Sequence, residues 1–226
     1  MEKVIISAFG CEIPFEALLS ALHVKADDDA IETIAEIHRQ AVSIANPKAV
    51  YLPVTPVIKD GEIWLNGICF KNEFVFQKLS QCGVVVPYVA SCGRELESWS
   101  ETLGDFYERF VADTIKQMYL FFIRDRLVAE AAEKHLTSHK KIARINPGSL
   151  KEWPITEQTA LFKLLGNVKE DIGVELTGSF LMLPTKSSSG ILFETDEDYE
   201  NCQHCPRLTC PNRRAEYSGD ITPAAH

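Results

Sequence analysis

Apolar residues recur at helical spacing near the start of the chain. Phe15, Leu18, Leu19 and Leu22 stand at i, i+3, i+4 and i+7. After a polar break at residues 27–29, Ile31, Ile34, Ala35, Ile37 and His38 repeat the stripe. Two helices are predicted across residues 15–45, with Asp28 or Asp29 capping the second. The next stretch, VYLPVTPVIKDGEIWLNG, mixes β-branched and turn residues. Its Asp60-Gly61 pair between apolar runs is a hairpin signal. Pro53 and Pro56 mark an edge strand or an irregular lead-in.

The run VVVPYVAS (84–91) has the pattern of a short buried strand, ended by Cys92-Gly93, and RELESW opens a helix. From Gly104 to Lys141 no further Gly or Pro interrupts the chain, which predicts one long helix or two. Phe106, Phe110, Ile115, Met118, Phe122, Leu127, Val128 and Ala131 can line its apolar faces, and their density predicts central burial. Pro147-Gly148 is a turn signal. Thr156 is the expected cap of a helix over TALFKLLG, and Gly166 its stop. IGVELTGSFLMLP and SSSGILFET then predict two strands. Long helices mixed with short, hairpin-linked strands give an α+β fold. The expected divisions are an N-terminal α/β portion (1–100) packed on the same core, a second region (101–195), and a Cys-rich tail (196–226) whose last residues, from 218 on, fray.

Composition narrows the function classes. Of the 226 residues, 46% are hydrophobic and 24% charged, as in a soluble globular protein. With 23 basic against 32 acidic residues the net charge is −9, which argues against a general nucleic-acid binder. Arg207, Arg213 and Arg214 still make a local basic patch. The N-terminal apolar run is too short for a leader, and no stretch approaches the ~18 apolar residues of a membrane helix. The chain is therefore expected to be cytoplasmic, with no membrane partner.

Seven cysteines are present, and three cluster in CQHCPRLTC as Cys202, Cys205 and Cys210. C-x2-C-x4-C spacing suits a zinc ion or an iron–sulfur cluster, with a fourth ligand from elsewhere, His204, Cys92 or Cys11 among the choices. A Cys202–Cys205 disulfide and a tail without function are the alternatives. Cys92 sits at a helix start, where a thiolate is stabilised; a small buried side chain at a tight turn is the favoured reading. Cys11, Cys69 and Cys82 read as core. His135 and His139 are metal-compatible at i, i+4, but Lys134, Lys140 and Lys141 crowd them, and a solvated helix end is expected. In RINPGSL (144–150), an Arg fork beside the free backbone groups of a turn suits a carboxylate; an exposed Arg before a plain turn is the alternative.

From residue 125 to residue 193 the sequence resembles a known family. DRLVAEAAEKHL, RINPGSLKEWPITEQTALFKLL and IGVELTGSFLMLPTKSSSGILF follow, in order and spacing, the reactivation domain of cobalamin-dependent methionine synthase, including its stand-alone form. The resemblance implies an α+β fold with a twisted antiparallel sheet and long helices. It also implies binding of S-adenosylmethionine and docking onto a cobalamin-bearing protein. In the family an electron from a redox donor and the methyl of the sulfonium together return inactive cob(II)alamin to methylcobalamin. The cofactors carry that reactivity, and the protein orients them.

Carried over position by position, the resemblance puts Arg144 against the methionine part of the ligand and Pro147, Gly148 and Ser149 on the turn facing it. Glu133 falls near the ligand's amino group, and Gly190, Leu192 and Phe193 on the strand beside it. Ser149 and Leu192 stand where the family has tyrosines, and the family's acidic residue near its domain start has no counterpart. The expected function is a trans-acting reactivation subunit for a cobalamin-binding methionine synthase subunit or other corrinoid protein. In that setting an iron–sulfur cluster on Cys202, Cys205 and Cys210 would relay the electron. The alternatives are a chaperone-like binding module for a corrinoid protein and an iron–sulfur electron-transfer protein for another partner.

Overall fold

The computed structural model describes residues 2–25, 27–138, 140–210 and 212–219. In chain order the strands are β1 (Val4–Ser7), β2 (Lys48–Tyr51), β3 (Val57–Lys59), β4 (Glu62–Leu65), β5 (Ile68–Phe70), β6 (Val85–Ser91), β7 (Lys141–Ile145), β8 (Glu175–Leu176), β9 (Met182–Leu183) and β10 (Ser187–Thr195). The helices are α1 (Phe15–Leu22), α2 (Ile31–Ile44), α3 (Glu73–Leu79), α4 (Arg94–Thr102), α5 (Phe106–His135), α6 (Gln158–Leu165) and α7 (Val168–Ile172). An antiparallel sheet in the order β1-β2-β6-β10-β7 joins strands from both ends of the chain. β3, β4 and β5 form a smaller sheet.

Alternation along the strands sorts the core into layers. Ala49, Tyr51, Val86, Tyr88, Ala90 and Leu192 face α5 through Leu120, Ile123, Leu127 and Ala131. Val50, Val85, Val89, Ala143, Ile145, Ile191 and Phe193 face the other way, onto Trp153, α3, α6 and the small sheet. All seven residues of β6 are buried, because it is the central strand and is covered on both faces. α1, α2 and α4 pack on the N-terminal half of α5 around Ile34, Leu96, Ile115 and Tyr119.

Asp105 starts α5 by accepting hydrogen bonds from the Tyr107 and Glu108 N–H groups at 2.7 and 3.2 Å. The helix then runs unbroken for 30 residues, roughly 45 Å at 1.5 Å per residue. Its burial is one-sided. Phe106, Phe110 and Phe122, expected to be inward, are exposed at 85%, 51% and 39%, while Val111, Ala112, Tyr119, Leu120 and Ile123 take the core positions. The helix has a single sheet and three short helices to cover it, so one stripe stays in water. Among the described residues no helix is long and apolar enough to cross a membrane.

One charge is buried here. Lys116 is 7% exposed and donates to Glu97 at 2.8 Å and to the Ser100 hydroxyl at 2.9 Å. The second Glu97 oxygen accepts from the Thr185 backbone N–H at 2.9 Å. Burial pushes the Glu97 carboxyl up, but the Lys116 and Thr185 hydrogen bonds prevail and hold it below the usual range.

Several local expectations change. The hairpin at Asp60-Gly61 is as read, with both residues at positive φ (53° and 76°). Asp28 accepts from the Ala30 N–H within the turn before α2 rather than capping the helix, whose N-cap Ala30 has no side-chain bond. Thr156 lies inside a 3-10 turn (Ile155–Glu157) that leads into α6, so it is not the cap. The segment expected as one strand is two, because Thr177 Oγ1 accepts from Leu181 N–H and Phe180 takes φ 63°, folding β8 back on β9. His135 is half-buried against the Tyr51 ring at 5.9 Å rather than solvated, and burial lowers its pKa, with Lys134 adding to the effect. His139 lies outside the described residues, as do residues 220–226 of the tail. Cys92 is fully buried and burial pushes its thiol up to about 12, which is the inert reading. Cys11, Cys69 and Cys82 are half-buried rather than core.

Candidate functional site

At the end of β7 the chain must leave the sheet edge and turn, and the sequence N-P-G does this. Gly148 adopts φ 80°, and its N–H donates to the Trp153 carbonyl at 2.7 Å. Fully buried Trp153 anchors the far side of this turn. Asn146 reaches back across the sheet, donating to the Ser189 carbonyl at 2.6 Å and to the Tyr88 hydroxyl at 3.0 Å. That crossing depends on Gly190. A Cβ there would lie 2.5 Å from the Asn146 amide nitrogen and 2.4 Å from the Ile145 carbonyl oxygen.

The turn, the start of β10, α5 and the tail enclose a cleft of about 540 Å³. Arg144, Pro147 and Ser149 line it from the turn, Ser187, Ser188 and Ser189 from β10, and Phe121 and Arg124 from α5. Cys202, Cys205, Cys210 and Arg213 line it from the tail. A second cavity of about 330 Å³ adjoins it, sharing Arg144 and Arg214 and walled by Val128, Ala129, Ile142, Ala143 and Leu192. Arg144 and Leu192 are opposite each other in register, which puts both on the α5 face.

Arg144 is half-buried, and its guanidinium has no protein partner among the described residues. The other cations at the site are engaged. Arg124 donates to Asp125 at 2.9 Å and lies 4.6 Å from the Phe121 ring centre. Arg214 pairs with Glu200 at 2.8 Å. Arg213 donates to the carbonyls of Cys202, Cys205 (2.8 Å), Arg207 (2.9 Å) and Ala215 (3.0 Å). The tail is therefore folded around a guanidinium. Tyr199 and Asn201 fasten it to the sheet: the Asn201 amide lies 2.7 Å from the Tyr199 hydroxyl and 3.2 Å from Asn146.

The three tail cysteines share one cleft wall, but they do not form a ligand set. Among the described residues no three His, Cys, Asp or Glu side chains converge to hold a metal ion. The backbone of this loop is instead gathered around Arg213, through the carbonyls of Cys202, Cys205, Arg207 and Ala215. All seven cysteines are free, and burial, with Glu200 adding to it, holds the Cys202 thiol above its usual range. His204 stacks on Tyr199 instead, at 5.9 Å.

Of the eight residues expected around the ligand, Arg144, Pro147 and Ser149 line the main cleft and Leu192 lines the second cavity. Gly148 and Gly190 act one layer behind, through the turn and the Asn146 crossing. Glu133 is exposed on α5, one turn beyond Ala129 on the same side, and lines neither cavity. Phe193 points to the opposite face of the sheet and packs 6.2 Å from the Tyr199 ring. Sequence reasoning missed Asn146, the serines 187–189, Arg124 and Arg213. Asn before Pro-Gly reads as an ordinary turn residue, and nothing local says that Arg213 folds a tail.

Residues 130–205, about a third of the chain, match the family described as vitamin B12 dependent methionine synthase, activation domain. That stretch covers the turn, β10 and the tail through Cys205. In three dimensions the chain superposes on a solved structure described as the crystal structure of the MetH reactivation domain bound to AdoHcy. The TM-score is 0.61 at 14% identity, over 88% of this chain and 81% of that one. This chain has the fold of a methionine synthase reactivation domain. The expectation of an α+β, activation-domain-like architecture is therefore met, and the resemblance extends beyond the third of the chain that matches in sequence. No curated protein matches the chain by sequence.

Proposed function

We propose that this chain is a reactivation subunit that binds S-adenosylmethionine and serves a cobalamin-dependent methionine synthase carried on a separate chain. Arg144 carries the reading: an unpartnered guanidinium on the wall of a cleft, in the fold whose solved counterpart was crystallised with AdoHcy. Its fork is suited to a bidentate grip on the carboxylate of the ligand's amino-acid end. The Ser149 and Ser188 hydroxyls have no protein partner among the described residues and are available to the ligand's polar groups. The apolar walls of the second cavity suit a flat ring, and the cleft volume is in the range for small-molecule sites. When bound, the sulfonium supplies the methyl group. The chain's own part is to hold the ligand by Arg144, keep the turn in place through Asn146 and Gly190, and close the wall with the Arg213-folded tail. The cobalamin-bearing partner and the redox donor are separate proteins in this proposal, and the setting is the reducing cytoplasm, where free thiols persist.

Calorimetry with S-adenosylmethionine tests it. Wild-type protein is expected to bind. Arg144→Ala is expected to lose about 1.5–3 kcal/mol, the range for a hydrogen bond to a charged group, or roughly ten- to a hundredfold in Kd. Absence of binding by the wild type, alone and with a cobalamin-bearing partner, would leave only a docking module.

A further inference from the structure

The charges around the site do not match those of the ligand. The main cleft is lined by Arg124, Arg144, Arg213 and Arg214, and among the described residues no carboxylate lines it, although the whole chain carries a net charge of −9. Asp125 and Glu200 compensate two of the four, at 2.9 and 2.8 Å, from the side of the second cavity. Among the described residues Arg213 is held by neutral carbonyls and the Arg144 guanidinium has no partner, so two of the four positive charges have no carboxylate beside them there. One of them can be met by a ligand carboxylate. The sulfonium of S-adenosylmethionine is a further cation; among the described residues the main cleft offers it no carboxylate, and the two carboxylates of the second cavity, Asp125 and Glu200, are already paired with Arg124 and Arg214. Glu133, the acid the family resemblance places near the ligand, stands outside both cavities.

We infer that the cleft selects against the sulfonium and binds the neutral thioether S-adenosylhomocysteine more tightly than S-adenosylmethionine. This rests on the proposed function, since it concerns the same site. The two ligands differ by one methyl group and one positive charge. The methyl adds little apolar area, so charge decides. Like charges a few ångströms apart in a partly desolvated cleft repel more strongly than in water. Demethylated ligand is then retained until something displaces it, and it competes with fresh S-adenosylmethionine for the site.

The test is a pair of calorimetric titrations of the full chain, one with each ligand, at ionic strengths from about 0.01 M to about 1 M. S-adenosylhomocysteine is expected to bind several-fold more tightly at low salt, with the gap closing as salt screens the arginines. Ser188→Asp places a carboxylate on the cleft wall, at a side chain with no protein hydrogen bond among the described residues. It is expected to reverse the preference while leaving the circular dichroism unchanged. Equal or tighter binding of S-adenosylmethionine at low salt overturns the inference but keeps the site. Binding of neither ligand overturns the site itself and the inference with it.

Discussion

Lys116→Met is expected to destabilise the protein by about 3–5 kcal/mol near neutral pH, because it leaves the largely covered Glu97 carboxylate, 15% exposed, without its cation. For a chain of this length that corresponds to a fall in Tm of roughly 2–4 °C per kcal/mol. The pH dependence identifies the cause. Glu97 has a folded pKa below its ordinary value of 4.5, so the pair's contribution is fully present above that value and is lost as pH falls through the folded pKa. Without Lys116, burial dominates and Glu97 takes up a proton more readily. The deficit of the variant is therefore largest near neutrality and shrinks in acid. Thermal melts of both proteins from neutral pH down to the carboxylate range would show this; a pH-independent deficit would mean that lost packing is responsible. Glu97 also holds the Thr185 N–H just ahead of β10, so the same change loosens the strand that lines the cleft.

Gly190→Ala is the second large effect. A methyl group at this position would meet the Ile145 carbonyl oxygen at 2.4 Å and the Asn146 amide at 2.5 Å. Neither neighbour is a flexible tip: one is sheet backbone, and the other is tied to Ser189 and Tyr88. Overpacking of this kind costs up to about 3 kcal/mol. It also drives β7 away from β10 and breaks the Asn146 crossing, which displaces the Pro147–Gly148 turn and Arg144 with it. Denaturant melts should show the loss of stability, and calorimetry a loss of ligand binding larger than that of Arg144→Ala. A variant of near wild-type stability with intact binding would show that the sheet can open here without moving the site.

Much of this fold could be read from residue patterns, for reasons that differ by element. β6 declares itself because VVVPYVAS is apolar on both faces, as a doubly covered strand must be. The β3–β4 hairpin follows from Asp60-Gly61. The length of α5 follows from the absence of any Gly or Pro after Gly104, but its buried face does not, since Phe106, Phe110 and Phe122 carry apolar side chains into water. Residues 172–184 misled because a Thr hydroxyl and one positive φ decide between a single strand and a tight hairpin. At the site, Arg144 and its turn were legible through the family motif. The tail was not: three cysteines at metal-like spacing suggested ligands, while the group that organises the loop is Arg213. The arginine-lined character of the cleft was also invisible, because it is assembled from α5, β7 and the tail, which are far apart in the chain.

The central claim is that the cleft between the Arg144 turn and the Arg213-folded tail is where the ligand binds. Hydrogen exchange of the full chain, with and without S-adenosylmethionine or S-adenosylhomocysteine, tests it most directly. The account predicts slower exchange on ligand addition at the backbone amides of residues 144–149, 187–192 and 201–214, with little change across the remote cavity lined by Pro53, Trp64 and Gly67. Protection confined to that remote cavity, or ligand binding with no change in the three segments, would contradict it.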